Sequence, residues 1–221
     1  MYEKRAYDLI RDFAPVSLMA STPFILVINP SVPASSLKEL MAFARAKPSQ
    51  LKYGSGGSGS PLHLSAEIFK SMTGSEILHV PYKGVTPALN DTVAGHVQMT
   101  FSVIPACIAL VKAGKVKALG VTSAKRTQLI PDLPTIAETV PGYEFIGWYG
   151  LMAPARTPNA IIARMSSEVV KVLKTPEFQE RLSGLGAEAI GTNAPELGTF
   201  MRLQVDKMRK AVKDSGARPD A

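Results

Sequence analysis

Residues 52–70 read KYGSGGSGSPLHLSAEIFK. A short β-rich run opens into a loop of glycine and serine, and the chain resumes at Pro61 with helical periodicity. Gly54, Gly56 and Gly59 spell G-x-G-x-x-G, so the stretch invites three readings: a dinucleotide-binding turn, a phosphate loop, or an anion cradle of another kind. The dinucleotide reading needs an acid about twenty residues on, at the end of the second strand. Glu76 stands instead at the start of EILHVPY, and Lys83 lies at its end. A Walker A loop needs Lys and then Ser or Thr where this chain has Ser60 and Pro61. A generic cradle survives both tests: small residues let a ligand approach the backbone, and the N–H groups of a helix N-terminus point at it. Proline at the first helical position sacrifices no needed donor.

Outward from this loop, strand and helix alternate. PFILVIN reads as a strand, and SSLKELMAFARA as a helix with Leu37, Leu40, Met41 and Ala44 on one face. Beyond the loop, PLHLSAEIFKSM predicts a helix, EILHVPY a strand, PALNDTVAG a helix, VQMTFSV a strand, IPACIALVKAG a helix and VKALGVTS a strand. Such repetition with short connections is the pattern of a parallel sheet covered on both faces. Pro131, Pro134, Pro141, Pro154 and Pro158 then punctuate a long crossing segment holding Tyr143, Tyr149 and the single Trp148, which reads as packing at a domain junction. ARMSSEVVKVLK predicts a helix, Thr175 and Pro176 open another, and a last helix sets Leu197, Met201, Val205, Met208 and Val212 on one stripe. These stripes are expected to be poorly covered, with self-association as the remedy.

Composition narrows the function classes. The 221 residues, 46% of them apolar, suffice for an ordinary core. No run approaches the eighteen or so apolar residues of a membrane-spanning helix, and MYEKRAYDLIRDFAP is charged where a signal peptide is greasy. The net charge of +7 suits an acidic ligand, but its basic residues are dispersed and not interleaved with aromatics, against nucleic-acid binding. Cys107, the only cysteine, excludes an internal disulfide and reads as a small buried hydrophobe. His63, His79 and His96 lack metal-ligand spacing and read as structural or solvent-facing; no metal and no cofactor are expected. Ser58 or Ser60 with His63 suggests a nucleophile and base, but G-x-S-x-G is out of register and no orienting acid is evident.

Taken in order, DFAPVSLMASTPFILVINP, LKYGSGGSGSPLHLSAEIFK, LHVPYKGVTPALNDTVAGHVQMTF, VKALGVTSAKRTQLIPDLPTIAE and GWYGLMAPARTP resemble the solute-binding proteins of tripartite tricarboxylate transporters, the Bug or TctC-like family, from about Asp12 to Gly216. The resemblance implies a non-catalytic bacterial periplasmic receptor that holds a small carboxylate and delivers it to membrane permease subunits. It implies an α/β fold: a periplasmic-binding-protein-like (type II) lobe at 16–148 with a mostly parallel sheet covered by helices. Residues 1–15 and 149–221, with the C-terminal helices, would be a remnant of the other lobe. Family members begin with a signal peptide and most of that lobe, and this sequence starts where that portion ends. The expectation is therefore weak, millimolar binding by this chain. Carried over by position, the ligand-facing candidates are Ser55, Gly57, Ser58, Ser60, Lys83, Gly84, Phe101, Ser102, Thr122 and Ser123, all after the carboxyl ends of strands, where an open parallel sheet presents its crevice. Gln98 and Ser102 stand where the family more often has acids, which makes that wall less negative. Two other readings remain open: a nucleotide-dependent enzyme using the glycine loop, and a truncated non-binding fragment.

Overall fold

The computed structural model describes residues 7–48 and 50–215. The first six residues of the expected N-terminal remnant, and the end of the resemblance at Gly216, lie outside them. The chain divides into two compact units, one built on Pro23–Ile146 with 211–215, the other on 7–22 and Gly147–Lys210.

The first unit contains the C-terminal half of strand β1 (Phe13–Ile28), then helix α1 (Leu37–Ala46), β2 (Lys52–Ser55), α2 (Pro61–Thr73), β3 (Leu78–Pro81), α3 (Val85–Ala94), β4 (Met99–Val103), α4 (Ile104–Lys112) and β5 (Lys117–Val121). The strands lie in the order β3-β2-β4-β1-β5. β2 runs parallel to β3 and β4, whereas β1 runs antiparallel to both β4 and β5. Four of the five strands thus point one way, and the sheet is mostly parallel with one reversed strand inside it. β1 is central because it is apolar on both faces: Ile25, Leu26, Val27 and Ile28 are wholly buried. Its bond to β4 sets Ile25 against Ser102, and its bond to β5 sets Ile25 against Val121.

Local chemistry fixes the helix ends. Ser36 Oγ accepts the Glu39 N–H at 3.3 Å while the Glu39 carboxylate takes the Ser35 N–H and hydroxyl, closing the start of α1. α2 begins at Ser60 and Pro61 and ends on left-handed Gly74. Helices α2 and α3 pack on β2 and β4. Cys107 is buried among Ile25, Leu89, Ile104 and Val121, and burial pushes its thiol up to about 11, as suits an unreactive core residue.

The second unit holds the N-terminal half of β1 with β6 (Ile146–Pro154) and β7 (Glu188–Ala189), and the helices α5 (Asn159–Leu173), α6 (Pro176–Gly184) and most of α7 (Ala194–Ser215). Two findings correct the sequence expectations. β1 starts at Phe13, ten residues before PFILVIN, and the proline-rich crossing segment contains a nine-residue strand. The stripe of α7 is not bare where it begins: Leu197 and Met201 are buried against Leu18, with Trp148 and Phe200 packed on them. Trp148 meets Phe200 edge-on at 5.4 Å and so serves this unit's core. Among the described residues, no helix is long and apolar enough to cross a membrane.

Candidate functional site

Each of the parallel neighbours β2, β3 and β4 is followed at its C-terminal end by a helix, so one edge of the first unit's sheet carries three helix N-termini. Such ends present unpaired N–H groups and the positive pole of the helix dipole. The starts of α2 and α3 are close: a Cβ on Gly56 would lie 3.4 Å from the Gly84 carbonyl carbon and 3.5 Å from the Val85 nitrogen. The β2–β4 register, Gly54 against Thr100, carries Ser102 to the level of Gly56. Neither α3, whose N-cap is Gly84, nor α4, whose N-cap is Val103, receives a side-chain cap.

The glycine loop spends several of its own donors. The Gly57 N–H donates to Ser55 Oγ at 3.2 Å, the Gly59 N–H to His63 Nδ1 at 3.0 Å, and the Ser60 N–H to the Gly57 carbonyl at 3.1 Å. Ser60 Oγ accepts the His63 N–H at 3.2 Å and is therefore the cap of α2. A loop whose N–H groups all converge on a ligand is thus not what forms. Within the loop and the first turn of α2, the Gly56 and Leu62 N–H groups meet no acceptor among the described residues. Gly57 and Gly84 sit at φ 112° and 121°, which a side chain would strain. Gly54, the first glycine of G-x-G-x-x-G, lies inside β2 paired with Val80 and Thr100, so the pattern does not form a dinucleotide turn.

Beneath the loop stands a stack of three rings. Tyr53 on β2 lies 4.8 Å from His79 on β3, and His79 lies 4.2 Å from His63 on α2. His63 is 3% exposed. The Tyr53 hydroxyl donates to Glu67 Oε1 at 2.5 Å, and Lys70 Nζ donates to the same oxygen at 2.6 Å. Burial first, and the Glu67 carboxylate second, push the Tyr53 hydroxyl far above its ordinary range, so it is a neutral donor. His79 Nε2 lies 2.6 Å from Ser55 Oγ. That is the spacing of a base and a nucleophile, but Ser55 is wholly buried and no substrate carbonyl can reach it. On the neighbouring turn the Tyr82 hydroxyl donates to Asp91 Oδ2 at 2.7 Å. Desolvation and then Asp91 push Tyr82 up to about 12, and the Tyr82 bond in turn holds Asp91 below the usual carboxylate range.

The predicted residues fall into two groups. Gly57, Ser58, Ser60, Lys83 and Gly84 are half-buried or exposed around the starts of α2 and α3, and Lys83 has no side-chain partner among the described residues. The others have structural tasks. Phe101 is wholly buried, and its ring meets Phe69 edge-on at 6.4 Å, so its side chain belongs to the core. Ser102 is also wholly buried. Thr122 locks β5 to β1: its Oγ1 accepts the Phe24 N–H at 2.8 Å and its N–H donates to the Phe24 carbonyl. The Ser123 hydroxyl donates to the Lys125 carbonyl within its own turn. Gln98 faces away from this edge: it sits before β4, where its Oε1 accepts the Lys52 N–H at the opposite end of the strands. The sequence reading left His63 and His79 without a role in the loop; the parallel register that puts Tyr53 beside His79 creates their stack and leaves no motif to read.

A groove of about 710 Å³ lies elsewhere, in the second unit, between α5 and the start of α7; it is lined by Ile162, Ser166, Val170, Lys174 and Asn193 and holds none of the predicted residues. Among the described residues, no three of His, Cys, Asp and Glu are grouped to hold a metal ion.

A family model described as "Tripartite tricarboxylate transporter family receptor" matches residues 1–217. The "UPF0065 protein in tcbD-tcbE intergenic region" of Pseudomonas sp. (strain P51) is 35% identical over 96% of this chain, and the chain spans 63% of the length of that relative. Among solved structures, "R. palustris Rpa4515 with adipate" superposes with a TM-score of 0.87 at 38% identity, covering 100% of this chain and 74% of the other. MatC (Rpa3494) from Rhodopseudomonas palustris with bound malate superposes with a TM-score of 0.80 at 28% identity, covering 96% and 73%.

Proposed function

The chain belongs to the tripartite tricarboxylate transporter receptor family, and from that premise we propose that it is a periplasmic receptor that binds a small dicarboxylate without chemical change and passes it to membrane permease subunits. The observation that carries the reading is the convergence of the α2 and α3 N-termini at Gly56 and Gly84, beside two N–H groups and the Lys83 ammonium, which have no partner among the described residues. The neighbouring solved structures hold adipate and malate, which support a dicarboxylate as the ligand class.

The energetics fit an anion of this size. A helix terminus contributes about 0.3–2 kcal/mol toward a carboxylate, and a hydrogen bond to a charged group about 1.5–3 kcal/mol. Two backbone donors and two helix ends are enough to orient one carboxylate group after its desolvation is offset. Of the predicted residues, Gly57, Ser58, Ser60, Lys83 and Gly84 then surround the ligand, while Ser55, Phe101, Ser102, Thr122 and Ser123 support the walls. Buried Ser55 argues against hydrolysis, and Gly54 inside a strand argues against a nucleotide cofactor.

Titration of adipate, malate and NAD into ¹⁵N-labelled protein tests the reading. The expected result is a saturable shift of the Gly56, Leu62 and Val85 amides with either dicarboxylate and none with NAD. Shifts with NAD alone, or dicarboxylate shifts confined to residues outside 54–62 and 83–86, overturn it.

A further inference from the structure

We propose that His63 is a positioning residue for this loop: by accepting the Gly59 N–H at Nδ1, it holds residues 56–60 in the shape that leaves the Gly56 and Leu62 donors uncommitted. The inference rests on the dicarboxylate reading for its purpose, and on the His63–Gly59 bond for its mechanism.

A ring nitrogen that carries a proton cannot accept a hydrogen bond. The 3.0 Å bond from Gly59 therefore requires a bare Nδ1, and the proton of neutral His63 sits on Nε2. The second anchor behaves differently. If His79 Nε2 accepts, the Ser55 hydroxyl donates to it; if His79 donates, the Ser55 hydroxyl turns to the Gly57 carbonyl at 3.3 Å, and in both cases Ser55 Oγ still takes the Gly57 N–H. Protonation of His79 thus leaves its anchor standing. Protonation of His63 points a second N–H at that of Gly59 and opens the loop at one defined bond.

His63 is 3% exposed, and titratable groups face it from several elements. From β3 it faces His79 at 4.2 Å, which disfavours charge on both rings at once. From β2 it faces Tyr53, which is neutral. β4, which also packs on α2, brings Met99–Val103, without a titratable side chain. On its own helix the nearest acid is Glu67, whose Oε1 already serves Tyr53 and Lys70, and Tyr143, bonded to Ser65, is neutral through burial.

The test uses the full chain as wild type, H63N and H63A. In H63N an amide oxygen falls near the place of Nδ1, accepting a hydrogen bond without titrating. With no ligand present, the Gly59 amide and the His63 ring are followed by NMR from pH 8 to pH 5. The expected result is one shared midpoint in the wild type and no such transition of Gly59 in H63N. Adipate affinity at pH 7.5 should fall about tenfold in H63A, the worth of one hydrogen bond, and stay within about threefold of wild type in H63N. Acidification should weaken adipate binding to the wild type but not to H63N. A Gly59 amide that ignores the His63 titration, or that titrates equally in H63N, overturns the proposal, as does full adipate affinity in H63A. If H63A does not fold, H63N against wild type decides. If neither adipate nor malate binds the wild type, the dicarboxylate reading falls, while the ligand-free titration still decides whether His63 holds the loop.

Discussion

Gly54 and Ala88 approach so closely that a Cβ on Gly54 would stand 3.0 Å from the Cβ of Ala88, with the Tyr82 ring 3.2 Å away. Glycine is needed here because α3 packs directly onto the backbone of β2. Gly54→Val forces α3 off the strand and should cost about 1–3 kcal/mol, the usual penalty of overpacking. Urea denaturation measures it as a lower midpoint at unchanged slope. An unchanged midpoint would show that α3 gives way freely.

A second close tie lies further along the first unit. The Tyr143 hydroxyl bonds Ser65 Oγ at 2.8 Å and donates to the Ser65 carbonyl at 3.1 Å, fixing the proline-rich segment to α2. Tyr143→Phe keeps the ring and removes both bonds, leaving the Ser65 hydroxyl buried without this partner. The expected loss is about 1–3 kcal/mol by the same denaturation assay. Pairing it with Ser65→Ala should recover part of that loss, since both polar groups are then gone.

Much of this architecture was legible from local signals. Ser60 and Pro61 announce the start of α2, Thr175 and Pro176 that of α6, and the alternation from Pro23 to Val121 places each strand and helix of the first unit. Non-local facts were not legible. That β1 reverses inside a parallel set depends on which strands neighbour it, and its start at Phe13 is masked by Pro15, a residue that argues against a central strand. β6 is masked in the same way by the prolines around it. At the site, sequence named the loop but not its internal economy: Ser55 finds His79 only after the β2–β3 register is formed, and the Gly59 N–H reaches His63 Nδ1 through a ring orientation that no motif announces.

Glu138 gives a pH dependence with a defined sign. Its carboxylate accepts from Arg126 and from the Thr135 N–H, and the Arg126 bond, followed by the backbone bond, lowers it from 4.5 to about 2. A carboxylate depressed on folding adds stability that is fully present above its unfolded value and is lost as pH falls toward the folded one. The stability difference between wild type and Glu138→Gln should be constant above about pH 5 and shrink between 4.5 and 2. Melting temperatures across that window check it, and a difference independent of pH would remove Glu138 from the account.

Ser60 separates stability from binding. As the cap of α2 it accepts the His63 N–H, so Ser60→Ala should cost about 1 kcal/mol. Ser60→Asp retains an acceptor at the cap and should fold nearly as well as wild type, yet it adds a negative charge beside the proposed carboxylate and should weaken adipate binding by about tenfold or more. Thermal melts and calorimetric titration on the two variants check the split. Equal affinity in Ser60→Asp and wild type would move the ligand away from the start of α2.

Lys83 offers the sharpest electrostatic test. It follows β3 at the turn into α3, is exposed, and has no side-chain partner among the described residues, so its charge is not neutralised within the protein. An exposed ammonium attracts an anion by only about 0.2–1 kcal/mol, and salt screens it over about 10 Å at 0.1 M. Lys83→Gln should therefore lower adipate affinity about two- to fivefold at 20 mM salt and leave the fold untouched, since no bond of the turn uses the ammonium. At 0.5 M salt the wild-type affinity should drop toward that of the variant, and the two titration curves should converge. A twofold change that persists at high salt would mean direct contact with the ligand in place of steering. Identical curves at low salt would place Lys83 in solvent, beyond the site.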